Sequence, residues 1–134
     1  MKASELRIGN LINGIYYDYN IDDDHRKKET ICEVVTLDSV GSCEYPIWVE
    51  SEENIEYFSD FEPIPLTEQW LLDFGFISNP YQDRYENKAI HVEINKIRNP
   101  TELWIDRMPH IKYIHQLQNL YFALTNEELT LKSQ

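Results

Sequence analysis

The sequence predicts an α+β protein: a small β-barrel over residues 1–66, followed by a helix–strands–helix unit over residues 67–134 packed against it. Three observations carry this reading. Short apolar runs rich in β-branched residues recur about every 10 residues through the first half, with turn residues between them and no helical period. A short capped helix pattern follows at residue 67. A nearly all-round apolar helical pattern occupies residues 111–124.

In the first half, Leu6-Arg7-Ile8 alternates as a strand does, and Gly9-Asn10 ends it. Leu11-Ile12 resumes. Asn13-Gly14 reads as a second turn, because both residues tolerate positive φ, and Ile15-Tyr16-Tyr17 follows. Residues 18–28 read as an exposed hairpin loop. Residues 30–37, with Thr30, Ile31, Val34, Val35 and Thr36, form a strand by composition. Residues 46–50 and 54–58 make a further pair around the polar turn Ser51-Glu52-Glu53. Cys32 and Cys43 lack the C-x-x-C spacing of a redox or zinc pair and are expected to be structural thiols, Cys32 as a small core residue.

Leu6-x-Ile8-Gly9-Asn10-x-Ile12 resembles the opening strand of SH3-like barrels, in which such a pattern turns the chain into a long hairpin. Ile55-x-Tyr57 and Phe61-Glu62-Pro63-Ile64 resemble the way these barrels close. The resemblance implies an SH3-like β-barrel over residues 1–66. It implies no activity, because that fold serves many functions.

In the second half, Pro63 and Pro65 hold the connector extended. Thr67 is an N-cap, and Glu68 lies where the helix dipole favours an acid. Trp70, Leu71 and Phe74 give the apolar stripe. Gly75 is placed for the left-handed stop, with Phe76 as its apolar contact. Asn79-Pro80 marks a loop. Ile90, Val92 and Ile94 alternate with His91 and Glu93, predicting a strand with one wet face, and Leu103-Trp104-Ile105 a second. The apolar positions of the last helix span an arc of roughly 200°. Gln118 falls inside that arc and is expected to be a structural amide. Asn126 can end the helix, and Leu129 and Leu131 alternate as in a short terminal strand.

Two long segments, residues 62–76 (EPIPLTEQWLLDFGF) and residues 111–129 (IKYIHQLQNLYFALTNEEL), together with the Leu6-Arg7-Ile8-Gly9-Asn10-Leu11 opening, resemble an uncharacterised family of gut anaerobic bacteria and their phages or prophages. Its relatives usually carry Gly where this chain has Asn126. The family brings no known activity. The resemblance implies a mobile-element context.

Charge narrows the function classes further. The net charge is −12, with 15 acids against 5 bases in residues 1–66 and 9 against 7 in residues 67–134. Between Glu29 and Asp83 there are 13 carboxylates and no Lys, Arg or His. Phosphate backbones are gripped by clustered cations, so direct nucleic-acid binding is disfavoured and a basic host or phage protein is the expected partner, through an acidic barrel face. A nucleic-acid mimic or an inhibitor of a host protein is a sharper form of this idea. Acidity that serves only solubility is the plain alternative. No apolar run reaches the length of a membrane helix, and the first seven residues do not read as a signal peptide, so the expected location is the cytoplasm.

The residues expected to bind are Tyr16, Tyr17 and Trp48, with the carboxylates Glu50, Glu52, Glu53 and Glu56. Barrel aromatics also support a second reading, a small-molecule or peptide binder, and a homodimer is a further association open to the chain. No enzyme activity, cofactor or metal is expected. Asp18-x-Asn20-x-Asp22 with Glu29 matches oxygen positions of a calcium loop, but Asp23 stands where glycine is required and Arg26, Lys27 and Lys28 would repel the cation. Among His25, His91, His110 and His115 no metal-binding spacing exists. His91 and Glu93 share a strand face and read as a surface pair.

Overall fold

The computed structural model describes residues 5–17, 27–37, 47–51, 60–95, 102–105 and 111–132, with only the backbone described at 35–37, 47–51, 95 and 102. The chain divides into two units, Met1–Ile64 and Pro65–Gln134. Its architecture is α+β with mostly strands: two four-stranded antiparallel sheets and a helix near the C-terminal end. Among the described residues neither sheet closes on itself. No helix among them is long and apolar enough to cross a membrane.

The first unit contains β1 (Leu11–Tyr17), β2 (Lys27–Leu37), β3 (Ile47–Ser51) and β4 (Asp60–Glu62). They are ordered β3-β2-β1-β4. Leu6, Ile12, Cys32 and Val34 are buried together, with Phe61 packed against them. The Cys32 thiol donates to the Thr30 carbonyl at 3.6 Å. Two expectations are corrected here. Residues 6–8 do not form a strand. They enter a tight corner in which the Asn10 amide donates to the Arg7 carbonyl (3.1 Å) and the Arg7 amide to Asn10 Oδ1 (2.7 Å). Gly9 takes φ 95° there, a conformation that glycine adopts without strain. Val34 then clasps the corner from both sides, accepting from the Gly9 amide at 2.8 Å and donating to the Asn10 carbonyl at 2.9 Å.

Asn13-Gly14 is not a turn. Both residues lie inside β1, with Gly14 opposite Thr30 on one side and Phe61 on the other. A hairpin at Asn-Gly would require the flanking residues to pair with each other. Here each finds a distant partner instead, and non-local pairing overrides local turn preference.

The second unit opens with α1 (Glu68–Asp73). Its caps are those the sequence predicts. The Thr67 hydroxyl accepts from the Trp70 amide at 3.3 Å. At the other end the Gly75 amide donates to Leu72 and the Phe76 amide to Leu71, each at 2.9 Å, with Gly75 at φ 86°. This double bond pattern is a Schellman stop. A Cβ at Gly75 would meet nothing within 4 Å. Gly75→Ala is therefore expected to destabilise by about 1–2 kcal/mol through the backbone alone. A urea titration checks this, and a neutral result would mean the stop relaxes.

Four strands follow where the sequence shows two: β5 (Ile77–Asn79), β6 (Arg84–Glu86), β7 (His91–Asn95) and β8 (Glu102–Ile105), in sequential antiparallel order. Asn79-Pro80 opens the β5–β6 turn, in which Asn79 Oδ1 accepts from the Tyr81 amide at 3.2 Å and Asp83 takes φ 47°. Tyr85, Val92 and Ile105 stand opposite one another in register and are all buried. The Tyr85 hydroxyl donates to Glu68 Oε1 at 3.2 Å, tying β6 to α1.

The final helix, α2, spans Ile114–Thr125, three residues shorter at its start than its apolar pattern. Gln116 Oε1 accepts from the Lys112 and Tyr113 amides at 2.8 and 3.1 Å, and the Leu66 amide donates to the Lys112 carbonyl at 2.9 Å. These bonds hold residues 112–113 extended. Ile114, His115, Leu117, Gln118 and Tyr121 are buried, whereas Leu124 is exposed. Asn126 ends the helix at φ 59°, as its sequence position predicts. The expected strand at Leu129 and Leu131 does not form.

Candidate functional site

Period-two alternation sorts β1 and β2 into two faces. On β2, Cys32 and Val34 are buried, while Lys27, Glu29, Ile31 and Glu33 are exposed. Register extends this outer face across the sheet. Leu11 stands opposite Glu33, Asn13 opposite Ile31 and Glu62, Ile15, which is itself buried, opposite Glu29 and Asp60, and Tyr17 opposite Lys27. On β3, Glu50 occupies the position directly opposite Glu33. Ile31, 46% exposed, therefore sits between Glu29 and Glu33 along the strand and in the cross-strand row of Glu62. The Glu29 carboxylate is fixed by Asn13, whose Nδ2 donates to Oε2 at 3.1 Å.

Glu29 and Glu33, four residues apart on β2, lie about 13.6 Å apart along the strand. Two like charges at that spacing repel by about 0.3 kcal/mol in water. Carboxylate residues directly opposed across strands add to this cost. The face thus offers an exposed isoleucine among an excess of carboxylates, with Lys27 at its edge, and a cationic surface would offset that excess.

The structure separates the sequence-predicted binding residues. Tyr17 lies on the outer face, and Tyr16, half-buried opposite Lys28, on the other. Adjacent strand residues alternate, so this pair cannot form one aromatic grip. Trp48 takes the register position opposite Thr36, beyond the irregularity between Val34 and Thr36, and Glu50 the position opposite Glu33. Glu52, Glu53 and Glu56 lie outside the described residues, as do Cys43, His25, His110 and Asp18–Asp22 of the calcium-like pattern. Glu29, the last member of that pattern, is a β2 residue bonded to Asn13. Glu33 and Glu62 were legible as acids. Their alignment with Glu29 and Ile31 was not, since it depends on β4 returning to β1.

The outer face of the second sheet sets Arg84 among its carboxylates. Arg84 Nε meets Glu86 Oε2 at 3.1 Å, and His91 Nε2 approaches the same oxygen at 3.9 Å. Glu93 stands opposite Arg84 and Trp104. His91 therefore meets Glu86 on the neighbouring strand. Sequence reasoning missed Arg84 and Glu86 because β6 is too short to show a period. Among the described residues no group of three or more His, Cys, Asp or Glu side chains converges as a metal site.

No family model matches the chain, and neither a curated protein nor a solved structure is significantly similar to it.

Proposed function

We propose that the protein is an accessory protein of phage or prophage type that binds a basic host or phage protein through the outer face of its first sheet. The observation that carries this reading is the placement of Glu29, Glu33 and Glu62 around the exposed Ile31, with Glu50 opposite Glu33. Mixed apolar and charged contact of this kind gives both burial and electrostatic steering. A nucleic-acid mimic is a special case of the same face. The reading assigns the chain no catalytic step and no cofactor, and places it in the cytoplasm.

The same proposal takes the first unit as an SH3-like barrel. The order β3-β2-β1-β4, in which the last strand returns to the first, supports it. The sequence expects the strand completing the barrel at residues 54–58. The alternative of a ligand gripped by barrel aromatics is weakened by the placement of Tyr16 and Tyr17 on opposite faces.

Salt and charge reversal test the proposal. Protein captured from host lysate by the immobilised chain is expected to fall away between 0.1 M and 1 M salt, as the Debye length shrinks from about 10 Å to about 3 Å. The pair Glu33→Lys and Glu62→Lys is expected to abolish capture while shifting stability by no more than about 0.5 kcal/mol per site, as exposed substitutions do. Capture that survives both treatments would overturn the reading.

A further inference from the structure

The chain leaves α2 through a firmly built corner. The Asn126 amide donates to the Phe122 carbonyl at 2.7 Å. The Thr125 hydroxyl donates to the Tyr121 carbonyl at 2.8 Å and accepts from the Glu127 amide at 3.1 Å. This corner sets the direction of residues 127–132 by bonds that lie within the helix end. Those residues then cross to the far end of α1, where the Lys132 amide donates to the Asp73 carbonyl at 2.6 Å.

Between its two ends this strap buries one side chain, Leu129, at 5% exposure, while residues 127, 128 and 130–132 are exposed. Near the corner, Glu127 Oε2 meets Lys88 Nζ at 2.5 Å, with both side chains about 60% exposed. Lys88 belongs to the turn between β6 and β7, so the pair reaches across the unit. Its pKa is raised, first by the hydrogen bond to Glu127. The α2 helix differs in kind, with five buried side chains along 12 residues. Segments with few buried apolar contacts open below the free energy of global unfolding.

We infer that residues 127–132 form a strap that opens as a unit of its own, hinged at Asn126 and latched by Lys88–Glu127. Opening carries Leu129 into water while α1, α2 and the sheet stay folded. An exposed ion pair is screened by salt, so the latch makes the exposure of this leucine sensitive to ionic strength.

Amide hydrogen exchange on the full chain tests the strap directly. The Lys132 amide, bonded to Asp73, reports opening. The Leu117 amide, bonded to the carbonyl of Tyr113, the N-cap of α2, reports global unfolding. Lys132 is expected to exchange at least about tenfold faster than Leu117, with a weaker urea dependence. Glu127→Gln is expected to accelerate Lys132 roughly two- to fivefold at low salt, and Leu117 by no more than the same factor, since global unfolding breaks the pair too. Leu129→Ala is expected to accelerate Lys132 further, with Leu117 still the slower of the two and still the more strongly dependent on urea. Equal rates with a common urea dependence at the two amides would overturn the inference, since the strap would then unfold only with the unit. An unchanged Lys132 rate in Glu127→Gln would overturn the latch.

Discussion

Leu71→Ala is expected to destabilise the second unit by about 2–5 kcal/mol, whereas Leu72→Ala, one residue along, is expected to cost less than about 1 kcal/mol. Leu71 is fully buried, and Leu72 is 43% exposed. Truncating Leu71 removes its transfer free energy and leaves a cavity that a six-residue helix, tied at both ends, has little freedom to close. Both substitutions keep the Schellman bonds, because those use the carbonyls of Leu71 and Leu72 and not their side chains. Alanine also suits a helix slightly better than leucine, which lowers the cost at Leu72 further. Urea midpoints for the pair check the expectation. A larger loss at Leu72 than at Leu71 would show that α1 presents the opposite face to the core.

At Gln118 two substitutions separate shape from polarity. Gln118→Ala is expected to cost about 2–4 kcal/mol, and Gln118→Leu to change stability by no more than about 2 kcal/mol in either direction. Gln118 is 2% exposed on α2, one helical turn from His115, which is equally buried and stacks on Tyr113 with ring centroids 6.1 Å apart. A buried amide is hydrogen-bonded as a rule. Alanine strands the groups that the amide serves and opens a void. Leucine fills the space and removes the desolvation cost of the amide along with its bonds, so the two terms offset. Thermal and urea unfolding of both variants decide the matter. If neither moves the transition, Gln118 does not organise the helix. If Leu is as costly as Ala, its bonds are worth more than its burial costs.

The sequence by itself determined the features whose cause is local. Thr67 caps α1 because its hydroxyl reaches an amide three residues on, and Gly75 stops the helix because only glycine takes φ near 86° without strain. Asn126 ends α2 for a related reason, since its short polar side chain tolerates the left-handed region. Cys32 was legible as a core residue from its place in an apolar run, β7 by alternation, and β8 as the strand that follows it. Gln118 could be assigned to the buried face by helical period alone.

Only the tertiary structure decided the rest. Asn13-Gly14 carries a strong turn signal, yet β2 and β4 pair with it from both sides, and two ladders of distant partners outweigh a local preference. Residues 6–8 alternate like a strand but serve a corner that Val34 closes. The strands β5 and β6 are three residues each, too short to show a period, and exist because β7 offers them an edge. Leu66 helps to hold the chain extended before α2, and the far end of residues 127–132 is held by Asp73, each a partner distant along the chain. The candidate site follows the same division. Its acids were plain in the sequence, but their gathering around Ile31 is a matter of register, and register is fixed by which strands meet.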